Sequence, residues 1–307
     1  MAVKVVTDST CDLPQDLAQQ RDITVIPCNV HFGDEVYKDG VDMGPDEFYR
    51  RLVSSPRLPT TAQPSVNDFL QVYRSLVDEG HDVVSIHLSA KFSGTLNSAI
   101  QARLVLSRSP DPELAEGEGE AGEEAPHSDQ PGRAGRIEIV DSRMTSMGLG
   151  LVTLAAAQLV KEGVPYDRVV SGVQESLPST HCYFLLDTLE YLQKGGRIGK
   201  ASAFLGSLLS IKPVLMIKDG EAHPVERVRT RERGLQRLVE IIRGLAPAKY
   251  LSIIHSTTPD EAEALRERLG DILPKEEVIM SRFGPVIGTY LGPGALGVGL
   301  MSESFSS

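Results

Sequence analysis

Short β-branched runs and amphipathic helical stretches alternate along the first half of the chain. Residues 4–7, 23–26, 83–88 and 137–140 read as strands bounded by polar or turn-forming residues. Between them Phe69, Val72, Tyr73 and Leu76 recur at helical spacing, and Leu96, Ile100 and Leu104 repeat the pattern in a second helix. Ser65 followed by Asp68 marks the start of the first helix, with an acceptor three residues after a capping hydroxyl. Strands that alternate with helices in this way predict a mostly parallel sheet covered by helices.

The second half is patterned differently. Helices are expected around 148–162 and over 166–177, with strands at 181–186 and 250–254. Runs at 212–218 and 222–228 flank Asp219-Gly220, a two-residue turn that predicts a β-hairpin and therefore antiparallel content. Thr258-Pro259-Asp260-Glu261 combines a cap, a proline at the first helical position and a glutamate three residues after the cap, so a helix should run to 269. The fold class that follows is α/β in two domains: an N-terminal α/β/α domain with a mostly parallel sheet over 1–165, and a C-terminal α/β domain with a mixed sheet over 166–307. The segment 58–75 is a candidate to pack on the second domain.

Residues 108–136 interrupt the pattern with a run rich in Pro, Gly and Glu, read as a mobile surface insertion unable to bury enough apolar area to fold. This run changes the meaning of the formal charge of −11, because 111–129 alone carries eight acidic residues and no Lys or Arg, leaving −3 elsewhere. The remainder has no basic footprint for nucleic acid. No apolar run reaches the length of a membrane span and the start carries no signal-peptide core, so a cytoplasmic protein is expected. Cys11, Cys28 and Cys182 lack C-x-x-C spacing and read as reduced, buried thiols.

Candidate chemistry gathers where predicted strands end, the usual ligand side of an open α/β sheet. Thr7-Asp8-Ser9-Thr10 and Asp141-Ser142 follow two strands, and a third runs through 89–95 directly into a helix, where Ser93 fits both a helix cap and an anion contact. The segment PTTAQPS at 59–65 sets hydroxyls and an amide between prolines, either as a stiff polar loop or as part of a site. Several catalytic patterns fail. GGRIGKA at 195–201 is one residue short of a phosphate loop and has Ala201 where a magnesium-binding hydroxyl belongs. No serine lies in a G-x-S-x-G elbow, no histidine pair has zinc-helix spacing, and His255 reads as a strand-end histidine rather than a base.

Five segments in order carry a family resemblance: Thr7-Asp8-Ser9-Thr10 with Asp12-Leu13-Pro14, PTTAQPS at 59–65, SGTLNSA at 93–99, DTLEYLQKGGRIGK at 187–200 and GPVIGTYLGPGALG at 284–297. Together they resemble the DegV family. The resemblance implies a long-chain fatty acid held between two domains of a bacterial protein with no catalysis, cofactor or metal of its own. Its partner would be a fatty acid kinase that phosphorylates the bound acid. It further implies carboxylate contacts from Thr61, Ser93, Gly94 and Thr95, and a docking surface for the kinase at Arg197 and Arg229. One departure is Tyr290, which stands where the family usually has a histidine after Gly-Thr; a tyrosine there remains a neutral donor at physiological pH. The apolar set Ala203, Phe204, Leu205, Leu208, Leu209, Ile211, Val214, Leu215 and Met216 exceeds one helix face and offers surface for a tunnel. A second class of function, a serine hydrolase built on Ser93 or a kinase-like enzyme in the same cleft, stays open on the residues alone.

Overall fold

The computed structural model describes residues 2–108, 135–206 and 211–303. The expected mobile insertion falls largely on 109–134, outside the described residues, as do Leu208 and Leu209 of the expected tunnel set.

The first sheet is parallel, in the order β2-β1-β6-β7, from β1 (Val3–Asp8), β2 (Ile23–Ile26), β6 (Asp82–His87) and β7 (Ile137–Asp141). All four match the strands read from β-branched runs. Side-chain alternation divides the two faces. Val6 and Val83 meet Phe69 and Tyr73 of α3 (Val66–Asp78) and Ala99 and Ala102 of α4 (Thr95–Arg108), whereas Val5, Val84 and Ile86 join a larger core on the opposite face. The capping box at α3 forms as read: Ser65 Oγ accepts the Asp68 N–H and the Asp68 carboxylate accepts the Ser65 N–H.

The second sheet is mixed, in the order β10-β9-β8-β13-β11-β12. It comprises β8 (Thr180–Leu185), β9 (Lys212–Lys218), β10 (Glu221–Val228), β11 (Ala248–His255), β12 (Ile279–Arg282) and β13 (Leu296–Ser302). The β9–β10 hairpin turns where expected, with Asp219 at φ 51° and Gly220 at φ 80°, the left-handed pair that such a turn requires. One face is covered by α8 (Arg231–Arg243) and α9 (Pro259–Arg268). Thr258 starts α9, but its hydroxyl makes no cap, and Glu261 is held instead by Arg231, with Nη2 2.7 Å from Oε2. The reciprocal cap read from this tetrapeptide does not form because the glutamate has a stronger, charged partner.

Between the sheets lies α5 (Ser146–Lys161), buried without a break from Ser146 to Ala157. Its sequence SMGLGLVTLAAA is apolar or small all round, as a helix covered on every side must be. Two glycines set its depth. Gly150 brings the helix so near the Cys11 carbonyl that a Cβ would sit 2.8 Å from that oxygen, and a Cβ on Gly148 would come within 3.2 Å of Cys182 in β8. The cysteines themselves are free and buried.

A third sheet, β4-β3-β5, is absent from the sequence reading: β3 (Asn29–Phe32), β4 (Glu35–Lys38) and β5 (Thr60–Ala62) pair antiparallel, with α2 (Pro45–Ser54) between the last two in sequence. Strands of three and four residues carry too few alternating positions to stand out. PTTAQPS is therefore not a plain loop, since Thr61 of β5 pairs with Val30 of β3. Helix α10 (Pro285–Leu291) packs on α2, β3 and β5 and so joins the small sheet to the C-terminal half.

Candidate functional site

A narrow cavity opens where the three sheets converge, enclosing about 740 Å³ of space between protein atoms, its open mouth included. Thr10, Leu88 and Thr145 reach it from just beyond the C-terminal ends of β1, β6 and β7, the side predicted for ligands. Phe184, Leu215, Ile217 and Ala222 line it from the second sheet, and Val286, Ile287, Tyr290 and Leu291 from α10. Of the expected tunnel set Leu215 lines the cavity. Val214 points into the core under α8 and Met216 packs against that core, because alternate residues of β9 face opposite ways, and Phe204 lies against the Arg227 guanidinium, 5.1 Å from its ring centre.

Besides Thr10 and Thr145, the cavity's polar side chains come from β5, from the start of α4 and from α10. Thr61 Oγ1 and the Tyr290 hydroxyl lie 2.5 Å apart. Ser93 Oγ is 3.0 Å from Thr95 Oγ1 and accepts the Thr95 N–H at 3.3 Å, so it both shapes the start of α4 and faces the cavity. Gln63 crosses from the end of β5 to α4, where Nε2 donates to Ser98 Oγ at 3.2 Å. Gly94 is not itself among the lining residues. It makes room for Gln63, whose Oε1 would lie 2.6 Å from a Cβ at that position.

Arg197 takes a place the sequence did not indicate. It is exposed yet lines the cavity, with its guanidinium over the Tyr290 ring at 5.3 Å, donating to the carbonyls of Gly195 at 3.0 Å and Phe92 at 3.2 Å. It thus ties its own loop and spans to the first sheet's side of the mouth. Arg229 stands apart, exposed between β10 and α8 and not among the lining residues. The Tyr290 ring lies against Gly195, and the ring over Gly292 is that of Tyr191. Phe92 and Thr145 were not singled out from sequence, whereas Thr10 and Gln63 stood within flagged segments without a role of their own. For Gln63 a signal existed in the amide between two prolines.

Behind Thr10 runs a buried chain of hydrogen bonds. The Tyr73 hydroxyl donates to Ser85 Oγ (2.7 Å), Ser85 lies 2.7 Å from His87 Nε2, and His87 Nδ1 lies 3.0 Å from Asp8 Oδ2. Asp8 also accepts the Leu88 N–H at 3.1 Å and both the backbone N–H and the hydroxyl of Thr10. Burial pushes the Asp8 carboxyl up, but these donors and the His87 charge outweigh it and hold it below the ordinary value. Ser85, His87 and Asp8 reproduce the spacing of a hydrolytic triad, yet all three are fully buried and none lines the cavity, so no substrate reaches that serine. The serine that does face the cavity, Ser93, has a threonine hydroxyl for its neighbour rather than a base.

Among the described residues no cluster of three or more His, Cys, Asp or Glu is arranged to hold a metal, and no helix is long and apolar enough to cross a membrane.

Comparison with known proteins agrees with this architecture throughout its length. The family described as "Uncharacterised protein, DegV family" matches residues 2–303. A DegV domain-containing protein of Listeria innocua is 33% identical over 300 residues, covering 96% of this chain and 97% of its own. Among solved structures, a DegV family protein from Thermus thermophilus, described by its fatty acid binding, superposes with a TM-score of 0.84 at 33% identity, covering 99% of this chain and 100% of that one. DegV of Bacillus subtilis, described as a fatty acid binding protein, gives 0.82 at 31% identity over 98% and 99%. With the family matched over residues 2–303 and relatives a third identical over nearly the whole chain, the chain belongs to the DegV family.

Proposed function

We propose that this protein binds one long-chain fatty acid in the cavity and presents the carboxyl group to a partner kinase that forms an acyl phosphate. The observation that carries this reading is the shape and polarity of one cavity: a narrow, mainly apolar slot in which Thr61 and Tyr290 hydrogen-bond each other beside the Arg197 guanidinium, with Gln63, Ser93 and Thr95 also in its lining. A sixteen-carbon tail buried there releases about 12 kcal/mol gross, at about 0.8 kcal/mol per methylene, before the costs of immobilisation. Two hydroxyls fix the head, and Arg197 supplies the positive charge that Tyr290 lacks. The fatty-acid binding named for the two solved relatives supports the ligand class.

Organic extraction of freshly purified, denatured protein followed by mass spectrometry tests the ligand. Near-stoichiometric long-chain fatty acid is expected; no lipid, together with no binding of added palmitate or oleate, sinks the reading. For the kinase step, Arg229→Ala in a reconstituted reaction should lower acyl-phosphate formation while fatty-acid binding persists, because that side chain stands clear of the cavity. Arg197→Ala should impair both, given its contact with Tyr290.

A further inference from the structure

Two acids lie buried behind the cavity wall, at the start of α10. Asp12 follows the first strand and Asp39 follows β4, and neither lines the cavity. Asp12 accepts the Gly284 N–H at 2.9 Å and the Ser146 hydroxyl at 2.6 Å. Asp39 accepts the Ser9 hydroxyl at 2.8 Å, and the Val286 backbone N–H lies where it favours the charged form of the carboxylate. The same Ser9 oxygen accepts the N–H of Cys28, a lining residue, and the Asp39 N–H donates to the Cys28 carbonyl. Asp39 is therefore one residue removed from the cavity on two sides, through Val286 and through Cys28.

We propose that Asp12 and Asp39 are positioning residues for the ligand, holding the first turn of α10 and with it the wall made by Val286, Ile287 and Tyr290, and that ligand binding drives proton uptake at Asp39. The proposal rests on the fatty-acid reading of the cavity. Filling the cavity puts an apolar chain in place of solvent on the cavity side of Val286 and Cys28 and brings in a negative head group, and both effects disfavour a buried carboxylate anion beyond that wall. Burial already pushes the Asp39 carboxyl up to about 7, opposed by its Ser9 and Val286 donors and assisted by the charge of Asp8. The groups facing it keep the same sign: Asp8 and Asp12 are acids, while Cys11, Cys28 and Tyr49 are all pushed upward, chiefly by burial, and stay neutral. Arg282 and His255 lie across the open groove that Asp39 borders on its far side.

Calorimetric titration with oleate at pH 7.5, in phosphate and in Tris, reads the protons exchanged on binding. If the ligand raises the Asp39 pKa by about one unit, the wild type takes up about half a proton more than Asp39→Asn, and its affinity gains about fivefold over the variant's between pH 8 and pH 6. Protonation of oleate itself is common to both proteins and cancels. Ser9→Ala, which removes a donor but leaves the acid titratable, should move the uptake maximum to higher pH. Equal proton uptake in wild type and Asp39→Asn overturns the proposal. If Asp39→Asn does not bind oleate, an unchanged uptake maximum in Ser9→Ala overturns it instead. A wild-type protein that binds no oleate overturns the fatty-acid reading and leaves no site for these acids to position.

Discussion

The Tyr290 and Thr61 hydroxyls hydrogen-bond each other, so a carboxylate that reaches them has to insert into or bridge that bond. Removing one hydroxyl frees the other for the ligand as well as deleting a donor, and the net cost should be modest. Tyr290→Phe is expected to weaken fatty-acid binding by about 1 kcal/mol, the size of one neutral hydrogen bond. Combined with Thr61→Ala in a double-mutant cycle, the two effects should depart from additivity by at least about 0.5 kcal/mol, measured by titration with palmitate. Strict additivity would mean that the two hydroxyls never share the head group. The residue identities here were legible in the sequence through the motifs that carry them, and the substitution of tyrosine for histidine was visible as a departure. Their surroundings were not legible: two tyrosines, Tyr191 and Tyr290, lie in glycine-rich segments, and only the fold decides which ring covers Gly292 and which lies beneath Arg197.

At the level of elements, two glycines show how the same requirement for close approach has different consequences. A Cβ on Gly150 meets the Cys11 carbonyl, part of the backbone between β1 and α1 (Gln15–Gln20), where little can yield. Gly150→Ala should destabilise the fold by about 1–3 kcal/mol, as overpacked cores do, read as a lower denaturation midpoint. A Cβ on Gly94 meets only the end of the Gln63 side chain, which can swing away. Gly94→Ala should therefore melt close to wild type but bind fatty acid about 1 kcal/mol more weakly, because Gln63 leaves the cavity and its bond to Ser98 is broken. A parallel loss of stability in both variants would contradict this distinction. Apart from β12 and the glycine-interrupted β13, which the reading did not find, the strands of the two large sheets could be read from period and turn residues. The small β3–β5 sheet could not, although it delivers Thr61, because a strand such as Thr60–Ala62 is defined by its partner rather than by its own alternation.

Across the whole molecule, the two halves of the chain are joined less by a linker than by hydrogen bonds between them. Buried Asp12 accepts the Gly284 N–H, its carbonyl accepts the Ser281 hydroxyl, and at the surface Arg282 pairs with Asp46. Nothing in the sequence marked Asp39 for such a role; it is buried between Ser9 and the start of α10, which lies 246 residues further along the chain. That burial makes stability depend on pH with a definite sign. Asp39 has a folded-state value raised from 3.8 to about 7, so between those values the folded protein binds more protons than the unfolded chain. Its contribution is fully present below about pH 4, declines as pH rises toward 7, and is constant above. Asp12, also raised by burial, acts in the same direction, whereas Asp8, held low, favours the fold above its unfolded value and stops doing so as pH falls through its depressed one. In ligand-free protein, denaturant unfolding at pH 5 and pH 7.5 should show a loss on the order of 2 kcal/mol attributable to Asp39, which Asp39→Asn removes while leaving the Asp12 component. The variant should accordingly lose less stability than wild type between the two pH values and stand closest to it, or below it, at pH 5. Identical slopes for the two proteins would show that Asp39 ionises in the fold as it does in water, and that solvent from the neighbouring groove reaches its carboxylate.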